Sequence, residues 1–346
     1  MRWDNLRLTD HDAGTAATPL FARNAVARTF DTPDFRGITF YEVRARSIIN
    51  RVPGASRVPF EWTINPYRGC SHACTYCFAR KTHEYLDLGS GEDFDSKIIV
   101  KVNAPDLVRK ELAAPKWGGH HIAMGTNVDC YQRAEGRYRL MPGILAALRD
   151  AANPFSILTK GSLILRDLDL LVEAAEVTDV STAVSVGFVD DAMWRAVEPG
   201  TPHPRKRLEV CATLNDHGIR CGVLMAPILP YLTDSPAMLE ETVRRIADSG
   251  ATHVAPITLH LRPGAREWFM AWLSREHPRL VPRYLELYGR GAYAPKAYQE
   301  RIRREVEALA RQYGIGGTNA REARRITPRP RPSAPAAPAP EQLTLI

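Results

Sequence analysis

The 346-residue chain lacks any stretch long and apolar enough to cross a bilayer. The nearest approach, residues 170–188, is interrupted by Glu173, Glu176 and Asp179. No apolar run follows Met1, so no secretory signal and no membrane association are expected, and the expected compartment is the reducing cytoplasm. Cysteine is scarce, at 6 residues, and a disulfide framework belongs to small secreted chains, which this is not. There is no G-x-G-x-x-G run to indicate a flavin site, no internal repeat and no second cysteine cluster. What remains is ordinary for a globular protein: 45% hydrophobic and 25% charged residues. The net charge of +7, with a pI near 9.1, permits a polyanionic partner without demanding one.

From Phe60 onward, strand and helix patterns alternate. Apolar runs at 60–65, 121–125, 155–159, 180–186, 220–225 and 253–259 read as strands. Helical patterns fall at 107–112, 142–152, 167–177, 204–217 and 237–249, with late helices at 267–273 and 298–313. Such alternation implies parallel strands joined by crossovers, and near-continuous apolar runs suit strands covered on both faces. Six units are too few for a closed eight-fold barrel. An open (β/α)6 partial barrel and a doubly wound sheet are the two α/β architectures that fit. Pro256 within the sixth run marks an edge or a bulge.

The expected organisation is an irregular N-terminal extension (1–55, with one strand-like run at 38–43), a core domain (56–292), a C-terminal helix (293–316) and a tail (317–346). The tail is rich in Arg, Pro and Ala and is expected to be disordered. It ends on Gln342-Leu343-Thr344-Leu345-Ile346, apolar residues where an unbound tail would carry none.

The chemistry concentrates in Cys70-Ser71-His72-Ala73-Cys74-Thr75-Tyr76-Cys77, directly after the first strand. Three thiols spaced C-x3-C-x2-C bring soft ligands to one loop, which selects zinc, copper(I) or an iron–sulfur cluster. A closed zinc site needs a fourth ligand, and His72, His83 or a distant Cys would have to supply it. A 4Fe–4S cluster normally takes four Cys; three leave one iron open. In parallel α/β folds, chemistry gathers at the C-terminal ends of strands. Thr126, Asn127 and Asp129 follow the second strand, Lys160 and Ser162 the third, while Ser185 ends the fourth and Pro227 the fifth.

The cysteine loop resembles that of the radical S-adenosylmethionine (SAM) enzymes, including Tyr76 before the last Cys. The runs 67–80, 101–103, 125–132, 159–160, 166–169, 198–199 and 226–228 resemble the radical SAM family of DNA repair photolyases, related to spore photoproduct lyase. The resemblance implies the partial barrel. It implies a 4Fe–4S cluster on Cys70, Cys74 and Cys77 whose fourth iron is chelated by SAM, and a reducing donor such as flavodoxin or ferredoxin. Reductive cleavage would yield a 5′-deoxyadenosyl radical acting on nucleic acid, as a lesion-repair lyase. A peptide, a tRNA or a small metabolite is the rival substrate, and a non-catalytic iron–sulfur or zinc DNA-binding module the rival class.

The same resemblance makes Tyr76 a neighbour of the adenine, and Thr126, Asn127 and Asp129 candidates for the SAM amino group. Ser185, Arg207 and Lys160 become candidates for its ribose and carboxylate. Cys130, beside Tyr131, is a candidate for returning a hydrogen atom to a product radical, although Thr126 stands where the related enzyme's cysteine would align. Cys211 and Cys221 read as core. Arg166-Asp167-Leu168-Asp169 reads as a helix start, and His120-His121 as structural. The C-terminal pentapeptide resembles motifs that dock on the bacterial sliding clamp, with Ile346 in place of the usual ending.

Overall fold

The computed structural model describes residues 25–53 and 58–316. The chain enters through three short strands, β1 (Val26–Thr29), β2 (Thr39–Val43) and β3 (Ile49–Arg51), in a stretch where the pattern indicated one. Two more, β4 (Trp62–Ile64) and β5 (Tyr67–Arg68), lead into the cysteine loop. A single turn of helix, α1 (Glu92–Ser96), runs straight into β6 (Lys97–Lys101). Strands β1, β2, β6 and β5 make a four-stranded mixed sheet in that order, with β2 and β6 parallel. Residues 26–43 are therefore hydrogen-bonded, through β6, to the segment that follows the cysteines.

The second sheet holds the barrel. Strands β4, β7 (Ile122–Met124), β8 (Phe155–Thr159), β9 (Val180–Ser185), β10 (Cys221–Ile228) and β11 (Val254–Thr258) run parallel and side by side in chain order. Strand β3 pairs antiparallel outside β4. Helices α2 (Ala104–Leu112), α3 (Arg133–Tyr138), α4 (Leu140–Asp150), α5 (Leu168–Val177), α6 (Asp191–Val197), α7 (Pro204–Asp216) and α8 (Pro236–Asp248) lie in the crossovers. A doubly wound sheet reverses its strand order at a switch point. Here the order never reverses, so right-handed crossovers lay every helix on one face and the sheet curls into an open (β/α)6 partial barrel. Ile122, Phe155, Ile157, Val223 and Met225 are fully buried between sheet and helices, each contributing roughly 1.5–3 kcal/mol. Pro256 sits in β11, the edge strand, where its missing N–H removes no central ladder bond, and the β10–β11 register shifts between Met225 and Ile228.

Beyond β11 come α9 (Ala265–Glu276), α10 (Val281–Tyr288) and α11 (Lys296–Gln312). Helix α10 had no counterpart in the sequence pattern. Phe269, Trp272, Tyr284 and Tyr288 from α9 and α10 form a second core with Cys74 and Tyr76 of the cysteine loop. The loop is thus clamped between the barrel and these late helices. Among the described residues no helix is long and apolar enough to cross a membrane. The Arg/Pro-rich tail and its Gln342–Ile346 motif lie outside the described residues.

Candidate active site

The cysteine loop is held by backbone clasps on every side. Gly69 enters it at φ +80°, and a Cβ there would fall 2.8 Å from the His83 ring and 3.0 Å from the Phe94 and Lys97 carbonyls. Gly200 packs against the loop so closely that its Cβ would lie 2.2 Å from the Ser71 carbonyl oxygen. Ala73, inside the C-x3-C turn, adopts a left-handed φ of 52°. Gln132 accepts from the Ser71 N–H at 2.9 Å and donates to the Gly69 carbonyl at 3.0 Å. Arg80 is fully buried. It donates to the Cys74 carbonyl at 2.9 Å, to that of Gly91 at 2.8 Å and to both Asp95 oxygens at 2.8 and 2.9 Å. The rings of Phe94 and Trp268 cover its guanidinium at 5.3 and 4.9 Å.

Burial pushes all three thiols up, Cys74 to about 12, and each is raised further by another thiol of the set or by a nearby carboxylate. Lys160 and Arg207 oppose the rise at Cys74, and Arg80 and Lys160 oppose it at Cys77. Thiolates therefore form here when a metal displaces the protons. Among the described residues no three His, Cys, Asp or Glu side chains converge as a single metal ion requires. A 4Fe–4S cluster takes each thiolate on a different iron. Three thiols, with Lys160 and Arg207 near Cys74 and Arg80 and Lys160 near Cys77, fit a cluster with one iron left open.

Two carboxylates, half-buried Asp129 and buried Glu198, organise the surroundings. Asp129 accepts from the Tyr131 N–H at 2.9 Å, the Thr159 hydroxyl at 2.6 Å and the Lys160 N–H at 2.6 Å, with His72 Nδ1 at 3.4 Å. Burial raises its carboxyl, but His72 and these donors outweigh burial and hold it down at about 2. Glu198, 1% exposed, receives the Tyr76 hydroxyl and the Arg207 guanidinium, with Lys160 Nζ at 4.0 Å. Burial pushes Glu198 up, and Arg207 and Lys160 more than reverse it. Arg207 also donates to the carbonyls of Ser185 and Pro202, both at 2.8 Å, and to Thr201 at 2.9 Å. Lys160 donates to the Ser185 hydroxyl at 2.8 Å, which donates onward to the Ala226 carbonyl at 2.9 Å.

Tyr76, Lys160, Ser185 and Arg207 are thereby brought into one network beside Cys74, with Asp129 joined to it through the Lys160 backbone. Both oxygens of Asp129 are already occupied by the chain, and Arg207 is nearly saturated. These two act as clasps between loops. Lys160 keeps donor capacity, since one of its three N–H bonds goes to Ser185 and its side chain is 15% exposed. Thr126 pairs with the Thr63 hydroxyl at 2.9 Å, and Asn127 is exposed. Cys130 is fully buried in the main core, its thiol pushed up by burial and by the nearby acids Asp129, Glu135 and Asp167. Tyr131 is buried with its hydroxyl on Asp167 at 3.1 Å, while part of it lines a cavity of about 280 Å³. That cavity also takes in His72, Arg133, Gly161, Thr201 and Pro202, all from loops on the cysteine side of the barrel.

Sequence reasoning gave no role to Glu198, Thr201, Gln132 or Arg80. The signals were an acid before a Pro-Gly pair and an arginine three residues after the last Cys. Arg166 and Asp167 do more than start a helix. Arg166 bonds Asp167 at 2.7 Å and Glu135 at 2.6 Å, and Glu135 also accepts from Tyr67. Cys211 and Cys221 lie in the core as expected.

Residues 64–255 match the family model of the Radical SAM superfamily. Uncharacterized proteins of Mycobacterium tuberculosis and Mycobacterium bovis are each 48% identical over 319 residues, covering 92% of this chain and 94% of theirs. An uncharacterized protein of Methanocaldococcus jannaschii is 30% identical over 207 residues, covering 59% of this chain and 73% of its own. Spore photoproduct lyase complexed with dinucleoside spore photoproduct shares the fold, with a TM-score of 0.58 over 80% of each chain at 17% identity. The cysteine loop at the mouth of an open parallel barrel and the matched span together make this chain a member of the radical SAM superfamily and an enzyme of that type.

Proposed function

We propose that the protein carries a 4Fe–4S cluster on Cys70, Cys74 and Cys77, cleaves SAM reductively and acts on nucleic acid as a lesion-repair lyase. The observation that carries the reading is the set of three thiols, Cys70 and Cys74 buried and Cys77 half-buried, at the C-terminal end of the first parallel strand, with Lys160 and Arg207 offsetting burial at Cys74 and Arg80 and Lys160 offsetting it at Cys77. When bound, the cluster and SAM supply a carbon-centred radical able to remove a hydrogen from the substrate, with the electron coming from a flavodoxin or ferredoxin. The chain positions and shields this chemistry. Arg80 and Gln132 fix the loop, and the late helices keep water from Cys74 and Tyr76. Lys160 is the cation with free donors, suited to a carboxylate, and Glu198 holds it and Tyr76 in place. The excess of 46 basic over 39 acidic residues is compatible with a polyanionic substrate.

The test is anaerobic turnover by the reduced, reconstituted protein. Iron, sulfide and 5′-deoxyadenosine are measured with and without ultraviolet-irradiated DNA, using Cys70→Ala as control. Cleavage that needs Cys70 and rises with damaged DNA is expected. Cleavage indifferent to every DNA and RNA supplied would overturn the substrate reading; an intact four-iron cluster without cleavage would overturn the chemistry.

A further inference from the structure

Phe78 follows the last cysteine of the loop and is 43% exposed, although its neighbours Ala79 and Arg80 are buried. The residue that meets it comes from the far end of the barrel. Arg262, in the loop after β11, sets its guanidinium carbon 5.5 Å from the Phe78 ring and 6.0 Å from that of Tyr293. Its Nη2 also donates to the Tyr293 hydroxyl at 3.1 Å. Tyr293 is 40% exposed and is backed by the His260 ring at 4.6 Å. The 260–264 loop is anchored by the Leu261 N–H on the Ala292 carbonyl at 2.8 Å and by Gly264 against the backbone of Lys81. Loops following the first and last parallel strands thus meet in an exposed ring–guanidinium–ring platform beside Cys77.

Its arginine differs from those of the interior. Arg80, Arg166 and Arg207 each hold a carboxylate. Among the described residues no ion pair engages Arg262, and its side chain is exposed. Two partly exposed rings around a guanidinium without a carboxylate match an unstacked base with its phosphate. Bases stack on aromatic and guanidinium planes whatever their identity, and the cation tracks the backbone. We propose that Phe78, Arg262 and Tyr293 form a stacking platform that holds an unpaired nucleotide next to the reacting one. The inference rests on the nucleic-acid reading above and adds the place and the mode of contact.

The experiment uses the anaerobically reconstituted protein and a single-stranded oligonucleotide carrying 2-aminopurine, whose fluorescence is quenched by stacking. Kd is followed by anisotropy. Phe78→Ala, Arg262→Ala and Tyr293→Ala are each expected to weaken binding about tenfold, with the quench reduced. Phe78→Trp is expected to restore both. Iron content and melting temperature confirm that each variant is folded. Binding and quenching at wild-type level in all three alanine variants would overturn the platform and leave the nucleic-acid reading standing. Failure of the wild type to bind any oligonucleotide would overturn both.

Discussion

Cys74 and Cys130 are both buried, at 8% and 0% exposure, yet their surroundings have opposite sign. Around Cys74, Lys160 and Arg207 work against the effect of burial and of Glu198. Around Cys130, the nearby charges are the acids Asp129, Glu135 and Asp167, and burial and charge push the thiol in the same direction. Burial alone therefore does not separate a ligand from a core residue. At Cys74 and Cys77 the fold has also placed cations where a thiolate must form, and they come from different elements: Lys160 after β8, Arg207 on α7, Arg80 after the loop; Cys70 has the Asp129 carboxylate near it, as Cys130 does, and shares the loop with the other two.

Exchanging thiols between the two sets breaks the comparison most sharply. Cys70→Ala, Cys74→Ala and Cys77→Ala should each abolish SAM cleavage and strip most of the iron. Cys130→Ala, Cys211→Ala and Cys221→Ala should keep the iron and lose stability, about 1–3 kcal/mol each by denaturant unfolding. Loss of iron in Cys130→Ala as complete as in Cys74→Ala would show the charge argument to be wrong.

Next in size is Glu198, the anion that balances the cations near Cys74. Glu198→Ala leaves the Arg207 guanidinium buried without its carboxylate, and Tyr76 without an acceptor. Removing one partner of a buried pair costs about 3–5 kcal/mol. Glu198→Gln, which still accepts a hydrogen bond, should lose less. An unfolding midpoint of Glu198→Gln equal to that of the wild type would argue that Glu198 acts through shape and not charge.

Much of the barrel was readable because doubly covered strands are continuously apolar and their helices begin at Pro204 and Pro236. The four-stranded sheet was hidden for physical reasons. Strand β1 is mostly exposed, β5 has two residues, and β6 follows α1 without a break, so each exists through pairing with distant chain. The three cysteines declared themselves by spacing. Glu198 stood in a family-like run before Pro199 but its role was not legible, because a carboxylate in a loop gains meaning only when Arg207, Tyr76 and Lys160 arrive from elsewhere. Cys130 and Tyr131 pointed towards catalysis by their place after β7. The structure turns the thiol into the core and the Tyr131 hydroxyl onto Asp167, since the chain reverses there to let Asp129 reach Lys160.

A smaller effect separates the loop's support from its chemistry. His83 lies under the cysteine loop with Nε2 on the Lys97 carbonyl at 2.9 Å, while Nδ1 is buried without a partner among the described residues. A second proton on Nδ1 would have no acceptor, and burial holds the ring's pKa down from 6.5 to about 4. Between those values the unfolded chain binds the extra proton and the folded chain does not. The stability due to this histidine is thus full above pH 6.5 and falls as the pH drops towards 4, by at most about 3 kcal/mol. His83→Gln keeps a donor for Lys97 and removes the titration. Melting temperatures of the metal-free protein at pH 5 and 7 should differ less in the variant than in the wild type.

The smallest effect belongs to Asn127, and its smallness is the point. Thr126 is tied to Thr63 and Asp129 to three donors, so both are parts of the frame. Asn127 is exposed between them, and no side-chain hydrogen bond holds it among the described residues. Asn127→Ala should leave stability within about 0.5 kcal/mol, whereas Thr126→Ala should lose about 1 kcal/mol with its hydrogen bond. If Asn127 serves only as a link, KM for SAM stays at the wild-type value. A several-fold rise in KM with unchanged stability would instead make Asn127 a ligand-facing residue, held ready by the clasped neighbours on either side.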